Sequence, residues 1–573
     1  MVAVSAVVAL TLTPMMASRL LTAKKDERHG RVYAFLERLF DRLERAYERS
    51  LDVALRFRFV TLLVFFATIA ATAALFMVIP KGFFPQQDTG LIVGTSEAAQ
   101  DVSFAEMTRR QEAALAVIGR DPAVENYSAQ IGGNNALNSG RVYITLKPHG
   151  DRDVTVYEVI ARLRPELAKV GGLQMFLQAA QDINVGGRQS RTQFQYTLQD
   201  ADISVLHEWS PKVLDKLRSL PELRDVASDQ QNGGGVLMLT IDRDQASRYG
   251  ILPAQIDELL YNAFGQRQIA QYFTQIDTYR VIMEILPELQ GATETLQRLY
   301  LRSPLTGQQV PLSTLAAWTT RGVVPLSVSH QGQFPATTIS FNLAPGSSLG
   351  AATEAVHKAE AELRMPASLQ GSFQGNAQEF QRSLSTVPLL IAAALIAVYL
   401  ILGILYESLI HPITILSTLP SAGLGALIIL LLGGFDFSLI ALIGVILLIG
   451  IVKKNGIMLV DFAIAAERDE GASPADAIRR AAILRFRPIM MTTLAAILGG
   501  VPLMIGFGAG AEIRQPLGFA MVGGLVVSQA LTLYTTPVVY IYLDELSSRL
   551  LGLFSRRAEP RRAESEPHPA PAE

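Results

Sequence analysis

The 573-residue sequence contains no cysteine, which excludes disulfides, thiolate zinc sites and iron–sulfur clusters. It also lacks a basic excess. Its 50 Lys+Arg are set against 52 Asp+Glu, a formal net charge of -2, so binding nucleic acid through phosphate neutralisation has no electrostatic basis. The histidines (His29, His149, His207, His330, His357, His411, His568) are scattered and show no HExxH spacing. No GxxxxGKS or GxxxxGKT loop occurs, which argues against direct use of ATP. No nucleophile–base pair or metal cluster stands out either, so the chain reads as a non-enzyme that needs no cofactor. What it has in plenty is apolar residues: at 49% hydrophobic it is too apolar for an ordinary soluble enzyme and too long for one domain.

Taken in order, residues 1–22 open as an apolar stretch whose positive charges (Arg19, Lys24, Lys25, Arg28) follow it rather than precede it. A signal peptide has the opposite order. The positive-inside rule puts the start outside and the next loop in the cytoplasm. That reads as a reverse anchor or as part of a helix from a chain truncated upstream. Residues 23–58 are basic and amphipathic, with Phe35, Leu36, Leu39, Phe40, Leu43 and Tyr47 at helical spacing. They predict a helix on the inner membrane surface or a connector packed on cytoplasmic helix ends. Residues 59–79 form an uncharged transmembrane span.

Residues 80–382 turn soluble and, by topology, periplasmic. Alternating residues predict strands at Val142–Leu146, Phe194–Leu198, Leu237–Ile241, Tyr279–Ile285 and Ile339–Leu343. Helices are predicted between them, near 156–167, 204–217 and 349–363. Repeated strand–helix–strand units suggest ferredoxin-like split βαβ subdomains, the second interrupted by an insert at about 236–324. Five more spans fill residues 383–545, with Pro420 predicting a kink and an arginine-rich loop at 467–487 marking the cytoplasm. Residues 546–573, rich in proline and charge, read as a disordered cytoplasmic tail. The fold class is thus an α-helical polytopic membrane domain of about seven spans, the first partial, plus a large α+β periplasmic region.

One span carries charge. GIVKKNGIMLVDFA, Gly450–Ala463, sets Lys453 and Lys454 inside an apolar run from about Phe437 to Ala466. A lysine at the bilayer centre costs about 2.5–3.5 kcal/mol on insertion scales, so it is rarely kept without a use. On a helix Lys454, Met458 and Asp461 share one face and Lys453 points about 100° away. About 10 Å of rise separates Lys454 from Asp461, too far for a close ion pair. Glu407, Asp436 and Glu512 all fall at span ends, so the carboxylate Lys454 needs must come from a helix outside this sequence. Asp461 reads either as part of the same charged site or as a helix-end charge. Arg485 reads as a relay group or an inside-positive residue, and Thr492, two turns on, as a relay hydroxyl or one bonded to its own helix.

These residues carry a resemblance. GIVKKNGIMLVDFA, LRFRPIMMTTLAAILGGVPL (Leu484–Leu503) and GFFPQQDTG (Gly82–Gly90) resemble the resistance–nodulation–division superfamily, in its hydrophobe/amphiphile (acriflavine-resistance-type) efflux branch. NAFGQRQIAQYFTQ, FPATTISFNL and LYESLIHPITILSTLPSAG are most similar to subunits of mixed-trimer multidrug transporters. The match runs to about Asp544 and implies the C-terminal half of a twelve-span pump, from the sixth span onward. It implies two porter subdomains, Gln86–Gly172 and Gln178–Gly235 rejoined by Pro325–Gly375, with half of a docking funnel between them. It further implies a bacterial inner-membrane location and a cytoplasmic C-terminus. The implied partners are membrane lipid, the N-terminal half or a related subunit, a homo- or heterotrimer, a periplasmic adaptor and an outer-membrane channel. The implied cargo is small amphiphilic substrates, driven by the proton gradient. The family relay maps onto Lys454, Arg485 and Thr492, with Lys453 and Asp461 beside it; its aspartate pair is absent. The drug-pocket segment corresponds to Val124–Lys147, where Tyr127 and Tyr143 are the aromatics and Gly132–Gly133 form a glycine turn. A metal, lipid or protein-export member of the superfamily, or a non-transporting assembly or sensory protein, are the alternatives.

Overall fold

The computed structural model describes residues 2–20, 31–132, 136–188, 190–231, 233–320, 323–325, 327–508 and 510–555. The basic loop with Lys24, Lys25 and Arg28, the pocket glycine Gly133 and the tail from 556 lie outside the described residues. Apolar helix α1 (Val2–Leu20) is followed by α2 (Arg31–Arg56) and α3 (Arg58–Val78). Along its second half α2 is a connector. The Tyr47 ring stacks on Phe486 at 4.6 Å, its hydroxyl donates to the Leu533 carbonyl at 2.9 Å, and Arg479 pairs with Asp52 at 2.7 Å and Glu48 at 3.1 Å. Along the first half, Phe35, Leu39 and Leu43 stay exposed on one stripe.

Two α+β bodies follow, each with its own core. The first runs β1 (Leu91–Ala98), α4 (Phe104–Ile118), β2 (Val124–Ile131), β3 (Ser139–Leu146), α5 (Val156–Leu167) and β4 (Leu173–Ala179), with antiparallel order β2-β3-β1-β4. Its helices start where side chains satisfy free backbone N–H groups. Ser103 accepts from the Glu106 amide, and Thr155 with Glu158 forms a capping box. Alternation in β3 buries Val142, Ile144 and Leu146 against Met107, Val156, Val159 and Leu163. Gly172 is not the end of this body. β4 pairs with β1 from Ala98↔Leu173 to Ile92↔Ala179, so the first body extends to Ala179.

The second body repeats the topology with β5 (Phe194–Gln199), α6 (Ile203–Arg218) and β6 (Leu223–Ser228) before an insert. The insert holds β7 (Met238–Ile241), α7 (Pro253–Phe264), β8 (Arg267–Phe273), β9 (Thr278–Met283) and β10 (Ala316–Thr319), around a small core of Ile251, Ile256, Leu296, Leu312 and Leu315. The body then closes with β11 (Phe334–Leu343), α8 (Leu349–Leu363) and β12 (Gln370–Gln374). β11 pairs with both β6 and β5, and β5 with β12, which matches the strand order of the first body. Alternation at Tyr279, Val281 and Met283 predicted a half-buried strand, but β8 and β9 form a hairpin exposed on both faces. Period-two patterning cannot tell burial on a sheet from a ribbon that projects away from any core.

The remaining helices are α9 (Asn376–Tyr406), a short turn at His411–Leu416, α10 (Leu419–Leu432), α11 (Leu439–Glu470), α12 (Pro474–Ile505) and α13 (Gln515–Ser555). Among the described residues, six helices are long and apolar enough to cross a membrane, with the short helix His411–Leu416 and α10 counted together as one span. The bend expected from Pro420 is a break at Ser417–Thr418. α9 begins seven residues before 383, because its first turns insert Ala377 and Phe380 into the second body's core. α13 runs on to Ser555, so the tail does not begin at 546; residues 546–555 (LSSRLLGLFS) hold one charge and no proline, and nothing in them ends a helix.

α10 and α13 touch through small residues. A Cβ on Gly523 would sit 2.5 Å from the Ile429 Cβ and 2.9 Å from the Gly425 carbonyl. Gly523→Val is therefore expected to destabilise the bundle by about 1–3 kcal/mol through overpacking, seen as a lower unfolding temperature in detergent. Gly450→Ala, where nothing lies within 4 Å, should leave it unchanged.

Candidate functional site

α11 and α12 place the charged groups. Lys454 and Asp461 are exposed on one side of α11, and Lys453 is half-buried a third of a turn away. Among the described residues, Lys453, Lys454 and Asp461 make no hydrogen bond or ion pair. The charges at the other span ends do not approach. Glu407 caps α9, Asp436 lies in the link before α11, and Glu512 lies in the turn before α13. Arg485 stands with its guanidinium 4.6 Å from the Phe462 ring centroid, while its Nε is buried without a hydrogen-bond partner. Thr492 donates to the Ile489 carbonyl at 3.1 Å, a bond within its own helix. The lysine, arginine and threonine thus sit on two packed neighbours, but no direct bond joins them.

Behind them lies a polar cluster that reading the sequence missed. Asn455, Thr493 and Gln529, from α11, α12 and α13, are buried together. The Asn455 amide donates to Thr493 Oγ1 and to Gln529 Oε1, both at 3.2 Å, and Thr493 Oγ1 donates to Gln529 Oε1 at 2.8 Å. At the residue directly before Gln529, Ser528 shares a hydrogen bond of 3.3 Å with Ser421 between α10 and α13. The signal was present: an amide side chain in an apolar run must find a partner on another helix.

The residues proposed for a substrate path do not converge. On the β2–β3 ladder Tyr127 faces Ile144 and Tyr143 faces Ser128, so the two tyrosines lie on opposite faces of the sheet. The Tyr127 ring lies over Gly119, where a Cβ would come within 2.9 Å of it. Gly132 ends β2 with φ +84, a conformation that suits glycine.

The structure also opens a cavity of about 570 Å³ between the two α+β bodies and the helix ends that adjoin them, with Phe83, Phe84, Tyr157, Phe435, Asp436 and Glu512 in its walls. Burial pushes the Asp436 carboxyl up from its ordinary range, and Glu512 Oε2 is buried without a hydrogen-bond partner. No single sequence window could show it, since its walls come from widely separated segments. Methionine thioethers are the soft ligands a metal relay would use, and those of the α+β bodies and the insert are divided. Met107 and Met175 belong to the first core and Met365 to the second, while Met238 and Met283 are exposed on the insert. Among the described residues, no three His, Cys, Asp or Glu gather as a metal site would need.

A family model described as the AcrB/AcrD/AcrF family matches residues 1–544. The fold is similar to two X-ray crystal structures of a heavy metal efflux pump. Crystal form II aligns with TM-score 0.79 and 21% identity over 88% of this chain and 53% of that one. Crystal form I aligns with TM-score 0.76 and 22% identity over 86% and 50%. The chain spans about half the length of these solved structures.

Proposed function

Because this chain belongs to the AcrB/AcrD/AcrF family, we propose that it supplies the C-terminal half of a proton-driven exporter of amphiphilic compounds in the bacterial inner membrane. In this reading α1 is the last part of a sixth span, the six long helices are spans seven to twelve, the two α+β bodies are porter subdomains, and the insert belongs to a docking funnel. The observation that carries it is Lys454, a cation midway along a membrane-length helix with no acid to answer it among the described residues. Such a charge is stable in a bilayer only beside a carboxylate or in a watered cavity. The open face of α11 and α12 is therefore assigned to a second set of spans bearing carboxylates, on another domain or a related subunit. Protonating those carboxylates would release Lys454 and let the helices shift. The shift would pass to the α+β bodies as alternating access.

Arg485 and Thr492 are assigned to the proton path, with Lys453 and Asp461 as flanking charges. Tyr127, Tyr143 and the Gly132–Gly133 turn are assigned to the wall of the proposed substrate path, each tyrosine on its own face of the β2–β3 ladder. A trimer, a periplasmic adaptor and an outer-membrane channel complete the proposed assembly. A second reading, metal-ion export, is favoured by what the structural neighbours are said to export, whereas the divided methionines and the lack of cysteine favour amphiphiles. Proteoliposomes decide between them. The chain alone is expected to show no proton-coupled efflux of a cationic dye. Reconstituted with a complementary half bearing the carboxylates, it should export the dye with proton counterflow. Robust efflux by the chain alone would refute the reading, and counterflow driven by Cu(I) or Zn(II) but not by dye would select metal export.

A further inference from the structure

The Asn455–Thr493–Gln529 cluster does more than fill space. Asn455 directly follows Lys454 and Thr493 directly follows Thr492, so two of its corners adjoin residues assigned to the proton path. The hydrogen bonds close a triangle. Both Asn455 N–H groups are used, Thr493 Oγ1 both donates and accepts, and Gln529 Oε1 accepts twice, which is the full capacity of that carbonyl. Gln529 Nε2 is spent on the Met490 sulfur at 3.4 Å. The three side chains are 4–8% exposed, so water does not offer substitutes. A slide of α11 along α12 by one residue is about 1.5 Å, enough to take bonds of 2.8–3.2 Å out of range.

We propose that Gln529 is a positioning residue: through Asn455 and Thr493 it locks the axial register of α11 against α12, and so fixes the offset between Lys454 and the Arg485–Thr492 side of α12. Gln529 touches neither Lys454 nor Arg485 by any hydrogen bond; it acts through its two partners. The bond between Ser421 and Ser528 anchors the same stretch of α13 to α10, so the reference helix is itself held. The role in coupling rests on the exporter reading, whereas the lock itself does not.

The absence of native cysteine makes the test direct. Leu447→Cys on α11 and Leu484→Cys on α12, both exposed and on opposite sides of the Asn455–Thr493 level so that their separation runs largely along the helix axes, carry spin labels in the full chain in lipid nanodiscs, and pulsed dipolar spectroscopy reads the distance between them. The parent should give one narrow distance. Thr493→Val, which keeps the side-chain shape and removes only the hydroxyl, should shift or broaden it by about 1.5 Å or more, one residue of helix rise. Gln529→Leu should do the same, and Thr493→Ser should restore the parent distribution. An unchanged distance in a folded Thr493→Val chain, or a Thr493→Ser chain that behaves like Thr493→Val, overturns the lock. In the two-half transporter, Thr493→Val should lower the maximum rate at least fivefold with the half-saturating dye concentration unchanged, and Thr493→Ser should recover it. A shifted register with full transport overturns the positioning role. The distance measurement needs no transport, so it decides the lock even where the exporter reading fails.

Discussion

In the proposed two-half exporter, Lys454→Met is expected to abolish proton-coupled transport, lowering the rate at least about 30-fold. That factor follows from the loss of one partner of a desolvated charge pair, about 2–5 kcal/mol, at 1.36 kcal/mol per tenfold. Methionine preserves length and helix propensity, so the chain should insert and fold as before. In that proposal the cost arises because the carboxylate assigned to face Lys454 would keep its proton once the ammonium is gone, and a group that no longer changes charge cannot be driven by a proton gradient. Lys453→Met is the control. Lys453 is half-buried and a third of a turn from Lys454, and its loss should change the rate by no more than about twofold, the scale of a substitution away from a buried network. Dye efflux and proton counterflow in the same vesicles read both. Equal rates for Lys454→Met and the parent would remove Lys454 from the coupling machinery.

A second large effect is expected outside the membrane-length helices. Asp88 and Arg152 form a buried pair at the base of the first α+β body, their side chains 6% and 2% exposed. The guanidinium donates to both carboxylate oxygens, at 2.9 and 2.6 Å. The backbone amides of Val156 and Gly90 add bonds of 2.8 and 3.1 Å, so one carboxylate ties the start of α5 to the approach to β1. Asp88→Asn should cost about 3–5 kcal/mol, because it leaves the Arg152 cation buried without a counter-charge. Hydrogen exchange of the purified chain should show faster opening confined to α5 and β1, with the second body unaffected.

The pH dependence has a definite sign. Burial alone would raise the Asp88 carboxyl, but the bonds from Arg152, Val156 and Gly90 outweigh it and hold the group below its ordinary range. A lowered native pKa contributes stability that is complete above the unfolded value, about 3.9, and is lost as the pH falls through the native one. The parent should therefore lose protection in the first body on acidification below about pH 4, and Asp88→Asn should lack that component. An acid limb of the same size in both would contradict the assignment.

How far the sequence could be read varied with the kind of physics involved. β3, β5 and β11 were visible because each alternates apolar side chains toward one core, and α5, α6 and α8 because their apolar residues recur at helical spacing. β2 was not. VENYSAQI is exposed almost throughout and is held by its ladder to β3 rather than by burial, which leaves no periodic trace. β4 was cut from its own body because Gly171–Gly172 look like a boundary, while the pairing with Ile92–Ala98 that claims it lies some eighty residues back. The early start of α9 was hidden for a related reason: its polar first turns are stabilised by contact with the second body.

By itself the sequence determined which segments prefer lipid, which side of each helix is apolar, and that a lysine stands in the middle of one span. Those are properties of composition and period, which depend only on residues close in the chain. The tertiary structure alone decided that Tyr127 and Tyr143 face opposite ways, that segments from Phe83 to Glu512 enclose one cavity, and that Asn455, Thr493 and Gln529 meet. Each of these depends on strand register or helix contact between distant segments, set by the packing of whole elements.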